Sequence, residues 1–339
     1  MMRLSPAMTW SRHGNDVYVY GESQVLQLRN CPPEADALLR LLEAGCEPAA
    51  IDTVDIEPAR AAEVLDWLRE TNCLVRNGSH RWVGTPWERQ TDYFCALGAD
   101  PDEAQAILAT ARVAILGVGG IGSIVLAHLV SAGVSRYTLI DSDVVSPHNL
   151  NRQFIYAASD VGRLKVDAAA DWIAARNPSA VISTFPQMVA HSADLVAALQ
   201  DRVSLVVSAA DSPFDIGLSV ARACLETQTP LVGADCGLRT ASWGPLLEPA
   251  DIPAYLSALE TIGDWSPVPR ASEVMTASFG PTNAIVASYL AKDVVNWFAG
   301  LPVVSRRKKM IIDFDACTTE MVDTREPQQS GLDALSENT

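Results

Sequence analysis

Residues 112–122 read Arg-Val-Ala-Ile-Leu-Gly-Val-Gly-Gly-Ile-Gly. Val113 to Leu116 is an unbroken apolar run of the kind that forms a strand buried on both faces. Gly117, Gly119 and Gly122 fall on a G-x-G-x-x-G spacing, with Gly120 inside it, and Ile124 to Val130 continues as an apolar helix. Such an order supplies what a phosphate group needs: a tight turn, a backbone bare enough to approach, and a helix start with free N–H groups. A second strand is predicted over Tyr137 to Ile140 and ends in Asp141. An acidic side chain about twenty residues past such a turn is placed to hold ribose hydroxyls. By itself the glycine pattern fits NAD, FAD or ATP.

Outward from this stretch, apolar runs and helical periods alternate. Helix 121–132, strand Tyr137–Ile140, helix Leu164–Asn177, strand Val181–Phe185, helix Ser192–Leu199 and strand Ser204–Ser208 follow one another, then helix Asp215–Thr227 and strand Leu231–Ala234. The alternation predicts an α/β protein with a doubly wound, Rossmann-like parallel sheet. Tyr255 to Ala271 is poorly periodic, and residues 324–339 read as a polar tail.

Ahead of the sheet, residues 1–85 read as a separate small α+β domain, leaving 86–323 for the nucleotide fold. Strands are predicted at Met8–Ser11, Val17–Tyr20 and Val25–Leu28, with a helix after Pro33, a short one near Ala49–Val54 and another over Pro58–Thr71. Asn77-Gly78 between Leu74-Val75-Arg76 and Arg81-Trp82-Val83 is a two-residue hairpin signal. The element order is winged-helix-like. Its second long helix carries Glu57, Glu63, Asp66 and Glu70 against Arg60 and Arg69, the wrong balance for a phosphate surface. Whole-chain charge agrees: at −16, a nucleic-acid partner is not expected. Seven scattered cysteines without C-x-x-C spacing fit reduced thiols in the cytoplasm, and no apolar run is long enough for a membrane span.

Chemistry beyond a dinucleotide domain gathers after Asp141, in Asp141-Ser-Asp143-Val-Val-Ser-Pro-His148-Asn149-Leu-Asn151-Arg152-Gln153. Lys165 opens a helix after Val161-Gly162, and the Leu205–Ser208 strand runs into Ala209-Ala210-Asp211. Two cations and a carboxylate around a phosphate turn suit nucleotidyl transfer, in which Arg and Lys neutralise charge building on phosphates and Asp holds Mg²⁺. Plainer roles exist for each. Asp143 and Arg152 would suffice for an ion pair, Lys165 for a solvated helix-end lysine, Asp211 for a helix cap and His148 for a loop residue.

In order and spacing, these residues make the chain from about 87 to 322 similar to the ThiF/MoeB family of adenylating enzymes, relatives of the ubiquitin-activating enzymes. Ser208-Ala-Ala-Asp211-Ser-Pro-Phe, Trp243-Gly-Pro-Leu and Phe279-Gly-Pro-x-Asn283 resemble the peptide-modifying branch of that family. The first domain resembles the PqqD-like module, in which an extended leader peptide adds a strand to a sheet edge; a structural cap or dimerisation module is the alternative.

Resemblance implies an ATP- and Mg²⁺-dependent homodimer acting on a ribosomal precursor peptide. ATP would be bound by the turn Gly117, Gly119, Gly120 and Gly122, with Asp141 on ribose and Asp143, Asn149 and Gln153 in the nucleotide loop. Arg152 and Lys165 would meet the phosphates, Asp211 would position Mg²⁺, and Arg89 would reach the partner's site. Family members usually carry two C-x-x-C pairs that close a zinc site, whereas Cys224, Cys236 and Cys317 stand alone here, so no zinc is expected. An adenylyltransferase for a ubiquitin-like sulfur carrier and a non-catalytic scaffold delivering peptide to another enzyme are the alternatives.

Overall fold

A computed structural model describes residues 1–22, 24–76, 80–213, 215–261 and 277–323. They form two compact units, Met1–Leu108 with Trp297–Leu301, and Ala109–Asn296 with the remaining described residues from Pro302.

In the first unit, β1 (Met2–Leu4) is followed by an antiparallel meander of β2 (Thr9–His13), β3 (Asp16–Tyr20) and β4 (Val25–Leu28). Along β3 the period-two rule is visible: Val17 and Val19 are fully buried while Tyr18 and Tyr20 face the other way and stack. Helix α1 (Ala35–Ala44) buries Ala35, Leu38, Leu39 and Leu42, one stripe of a 3.6-residue repeat. Helix α2 (Pro58–Glu70) starts on a proline, whose fixed φ and missing N–H suit a first turn, and buries Ala61, Val64, Leu65 and Leu68. All of these enter one core with Leu4 and Cys73.

The hairpin expected around Asn77-Gly78 does not form as predicted. Strand β5 (Leu74–Arg76) pairs antiparallel with β1, Arg3 facing Val75, and Arg81-Trp82 belongs to a 3₁₀ turn. The turn residues themselves lie outside the described set. Backbone pairing with the chain's first strand satisfied β5, a long-range choice that a local turn signal does not reveal. Helices α3 (Glu88–Ala96) and α4 (Pro101–Thr110) follow.

The second unit is built on β6 (Arg112–Leu116), whose Val113, Ala114 and Ile115 are completely buried. After it come α5 (Gly122–Ser131), β7 (Arg136–Ile140), α6 (Lys165–Arg176), β8 (Val181–Phe185), α7 (Ser192–Ala198), β9 (Leu205–Ser208), α8 (Ile216–Glu226) and β10 (Leu231–Cys236). Strands β10-β9-β6-β7-β8 are parallel neighbours in that order. From β6 the chain winds to one side through β7 and β8, then returns to β9 on the other side. The order therefore reverses between β6 and β9, and the crevice beyond their C-terminal ends is where sheets of this type hold ligands.

Three antiparallel strands, β11 (Thr240–Trp243), β12 (Lys308–Asp313) and β13 (Thr318–Asp323), extend the sheet past β10. Between β11 and β12 come α9 (Ile252–Thr261) and α10 (Gly280–Phe298). Thus the first part of the stretch read as aperiodic is helical: Ile252 and Leu256 seal α9 against the core that holds α8. Its continuation to Ala271 and the expected tail from residue 324 lie outside the described residues.

Candidate active site

Gly117 leaves β6 with φ +83°, and a Cβ there would stand 2.8 Å from the carbonyl oxygen of Ala209. Only glycine accepts both demands. Gly122, opening α5, lies so close to the Gly117 carbonyl that any side chain would overlap it. The turn is thereby folded tightly over the β6–β9 edge, with Gly117 N–H donating to Ile140 O at 2.8 Å and Ala209 N–H to Leu116 O at 2.8 Å. The N–H groups of Gly119, Gly120 and Ile121 make no hydrogen bond within the described residues.

Asp141, at the end of β7, accepts from Val118 N–H at 2.7 Å and from Asp143 N–H at 2.8 Å. Burial raises its carboxyl pKa above the ordinary 3.8, against the pull of the Lys165 cation and those two N–H donors. Lys165, at the start of α6, is buried, and its Nζ lies 2.7 Å from Asp143 Oδ2. Asp143 therefore pairs with Lys165 rather than with Arg152, and Lys165 is not a solvated helix-end residue. The sequence could not separate these pairings, because the loop's path decides which cation meets the carboxylate.

That path is set by Asn149. Its buried Oδ1 accepts from Ser146 N–H at 2.9 Å, and its carbonyl receives the N–H groups of Arg152 and Gln153 at 3.1 and 3.0 Å. The resulting bend puts Arg152 Cδ 3.7 Å from where a Cβ on Gly120 would be, and Gln153 Nε2 3.7 Å from the same point on Gly119. Arg152 is held by His148 O at 2.6 Å and Asn151 Oδ1 at 3.0 Å; His148 itself is exposed. The Oε1 of Gln153 is buried without a hydrogen-bond partner among the described residues. Asp211 is exposed just past β9, at the same edge, and α8 begins only at Ile216 with Asp215 in the position before it, so Asp211 does not occupy that helix's cap. Among the predicted residues, then, the turn, Asp141, Asp143, Asn149, Arg152, Gln153 and Lys165 come together around one edge. Arg89 lies in the other unit, exposed in the first turn of α3.

Two contributors were not legible. Asn283 from α10 donates to Ser278 Oγ at 2.9 Å and Phe279 O at 2.6 Å, and its Oδ1 would be 2.8 Å from a Cβ on Gly120. A side chain at residue 120 would have to displace the Asn283 amide; the Phe279-Gly-Pro-x-Asn283 patch marked the residue but not its contact. Tyr156 was hidden among apolar neighbours, and nothing in its spacing signals that its hydroxyl reaches Val118 O at 2.8 Å. The Trp243 patch is packing: its ring stacks on Tyr289 at 4.6 Å and its indole N–H donates to buried Asp293 at 3.2 Å.

The arrangement fits a nucleotide triphosphate. Unengaged N–H groups, open space above Gly119 and two cations form an anion cradle. The exposed carboxylate of Asp211 also suits Mg²⁺, which takes one or two protein carboxylates and completes its shell with phosphates and water. Burial pushes the Cys224 thiol up to about 12, and also raises that of half-buried Cys236 at the end of β10, which works against a thiolate at either position.

The chain is 45% identical over 82 residues to the probable adenylyltransferase/sulfurtransferase MoeZ of Mycobacterium tuberculosis, covering 24% of this chain and 20% of MoeZ. It is 34% identical over 130 residues to the molybdopterin-synthase adenylyltransferase of Salmonella typhimurium, 38% of this chain and 51% of that protein. These matches span between a fifth and a half of the curated relatives. The fold extends further: the crystal structure of E. coli MccB with ATP superposes with a TM-score of 0.78 at 24% identity, covering 97% of this chain and 98% of MccB. PaaA superposes with a TM-score of 0.70 at 22% identity, over 94% and 98%. Residues 93–332 match the ThiF family, well over half the sequence, and the chain belongs to that family.

Proposed function

We propose that the protein uses Mg²⁺-ATP to adenylate a carboxyl or amide group of a ribosomally made precursor peptide, and that an internal nucleophile then closes a ring. The observation that carries this reading is the gathering of the glycine turn, Asp141, Asn149, Arg152 and Lys165 at one sheet edge, in a chain whose fold matches MccB over 97% of its length; MccB has been crystallised with ATP and with N-formylated MccA. A carboxylate oxygen attacking the α-phosphorus forms an acyl–phosphate bond and expels pyrophosphate. A nitrogen or oxygen of the same peptide then displaces AMP, so that one water is lost from the peptide overall.

In this reading the protein supplies position and charge rather than a covalent intermediate. The Gly117–Gly122 turn receives phosphates on its N–H groups, Asp141 takes the ribose, and Asn149 and Gln153 keep the loop in place. Arg152 and Lys165, the latter aligned by Asp143, offset charge on the phosphates; Asp211 holds Mg²⁺. The three-stranded sheet of the first unit takes the leader peptide along an open edge. The working form is a cytoplasmic homodimer in which Arg89 serves the partner's site.

Incubation with ATP and candidate peptides tests this directly: AMP release with loss of one water from the peptide is expected. The curated relatives favour a second reading, adenylation of a carrier protein's C-terminus. Nucleotide turnover that leaves the peptide mass unchanged but adenylates a carrier would select it. Absence of ATP consumption with any acceptor would leave the delivering scaffold.

A further inference from the structure

Tyr156 is 6% exposed, and its phenol is a tie across the glycine turn. Its hydroxyl lies 2.8 Å from Val118 O and 3.3 Å from Lys165 O. On its other side Val118 is held by its N–H, which donates to Asp141 Oδ2 at 2.7 Å. The Val118–Gly119 peptide is trans, and in a planar trans unit the C=O and N–H point in opposite directions. With Val118 C=O directed at Tyr156, the Gly119 N–H is directed away from it.

That N–H has no partner within the described residues. A Cβ built on Gly119 would meet only Gln153 Nε2, at 3.7 Å, so its Cβ side is open among the described residues. The Gly119 carbonyl is taken by Ser123 N–H at 3.0 Å, which by the same geometry turns the Gly120 N–H out of the α5 N-terminus. A phenylalanine would fill the same volume. What it would lack is the donor that a buried carbonyl requires, and a peptide flip that found Val118 O another partner would turn the Gly119 N–H inward. Burial also holds the phenol far above its ordinary pKa, so it remains a donor throughout the working pH range.

We propose that Tyr156 is a positioning residue for ATP: by fixing the Val118–Gly119 peptide, its hydroxyl presents the Gly119 N–H to a phosphate oxygen. The inference rests on the site being an ATP site. It is tested with Tyr156→Phe in the full-length protein by calorimetric titration with ATP and, separately, with adenosine, which lacks the phosphates. The expected result is ATP binding about fivefold weaker, the worth of one hydrogen bond to a phosphate oxygen, with adenosine binding unchanged, a melting temperature lowered by the unsatisfied Val118 carbonyl, and the loss appearing in KM rather than kcat.

Equal ATP affinity in wild type and variant, or equal losses for ATP and adenosine, would overturn it. Wild-type protein that binds no ATP would remove the site reading and this inference with it. Should the variant not fold, the amide resonance of Gly119 in ¹⁵N-labelled wild type decides: a shift on adding ATP but not adenosine supports the role, and an unmoved resonance refutes it.

Discussion

At Lys165 a buried ammonium group sits 2.7 Å from a carboxylate that is itself largely in water. Replacing Lys165 by Met removes a cation from the phosphate cradle but leaves Asp143 free to hydrate, so catalysis and stability separate. Turnover is expected to fall by about 10²-fold or more, the size of losing one electrostatic group in an active site, with little change in melting temperature. Asp211→Ala should act likewise, and its defect should not be relieved by raising peptide concentration. Steady-state assays of AMP release check both; wild-type turnover in either variant would remove that residue from the mechanism.

Asp141 gives a pH signature. Its folded pKa is raised, so the group favours the fold below its unfolded pKa and that contribution is lost as pH rises through the folded value. Binding runs the other way, since the ionised carboxylate is the stronger acceptor for ribose hydroxyls. ATP affinity should therefore decline on acidification with a midpoint above the ordinary 3.8, measured by titration across pH, and Asp141→Asn should flatten that profile.

Among the elements, α5 shows how position reverses a general preference. Alanine in place of a helical glycine ordinarily stabilises by about 1 kcal/mol. At Gly122 the added methyl would overlap the Gly117 carbonyl, so Gly122→Ala should lower the melting temperature and abolish nucleotide binding together. In the first unit, Leu38 of α1 is completely buried in a core shared with α2 and β3. Leu38→Ala should cost about 2–5 kcal/mol in denaturant unfolding, the usual range for a leucine cavity. The elements of the second unit from β6 to β10 were legible because their apolar runs are continuous and their glycine punctuation is local. The β5 pairing was not, since a three-residue strand takes whatever backbone edge the rest of the chain offers. The antiparallel extension β11–β13 was missed for a related reason: β12 is half-buried and β13 mostly exposed, so neither shows a clear buried–exposed alternation.

For the whole molecule, the proposed division of labour predicts that a peptide stripped of its leader is a poorer substrate through KM, while the leader alone competes with the full peptide. Competition kinetics would show this, and indifference to the leader would refute it. If Arg89 serves the partner's site, mixing inactive Arg89→Ala with inactive Lys165→Met protein should restore activity, because a mixed dimer contains one complete site. Mixtures that stay inactive would refute sharing.

The sequence by itself determined the α/β class, the glycine turn and the residues gathered around it. Those depend on what neighbouring residues can do with their own backbone: an apolar run long enough for a strand, glycines where side chains would collide, an acid at the following strand's end. Tertiary structure alone decided the partnerships. That Asp143 takes Lys165 and not Arg152, that the Asn283 amide packs over Gly120, and that Tyr156 holds a carbonyl distant in sequence all follow from how the chain returns on itself. Hydrogen bonds and ion pairs act over a few ångströms, so which partner is chosen is fixed only once the sheet has brought distant segments within that reach.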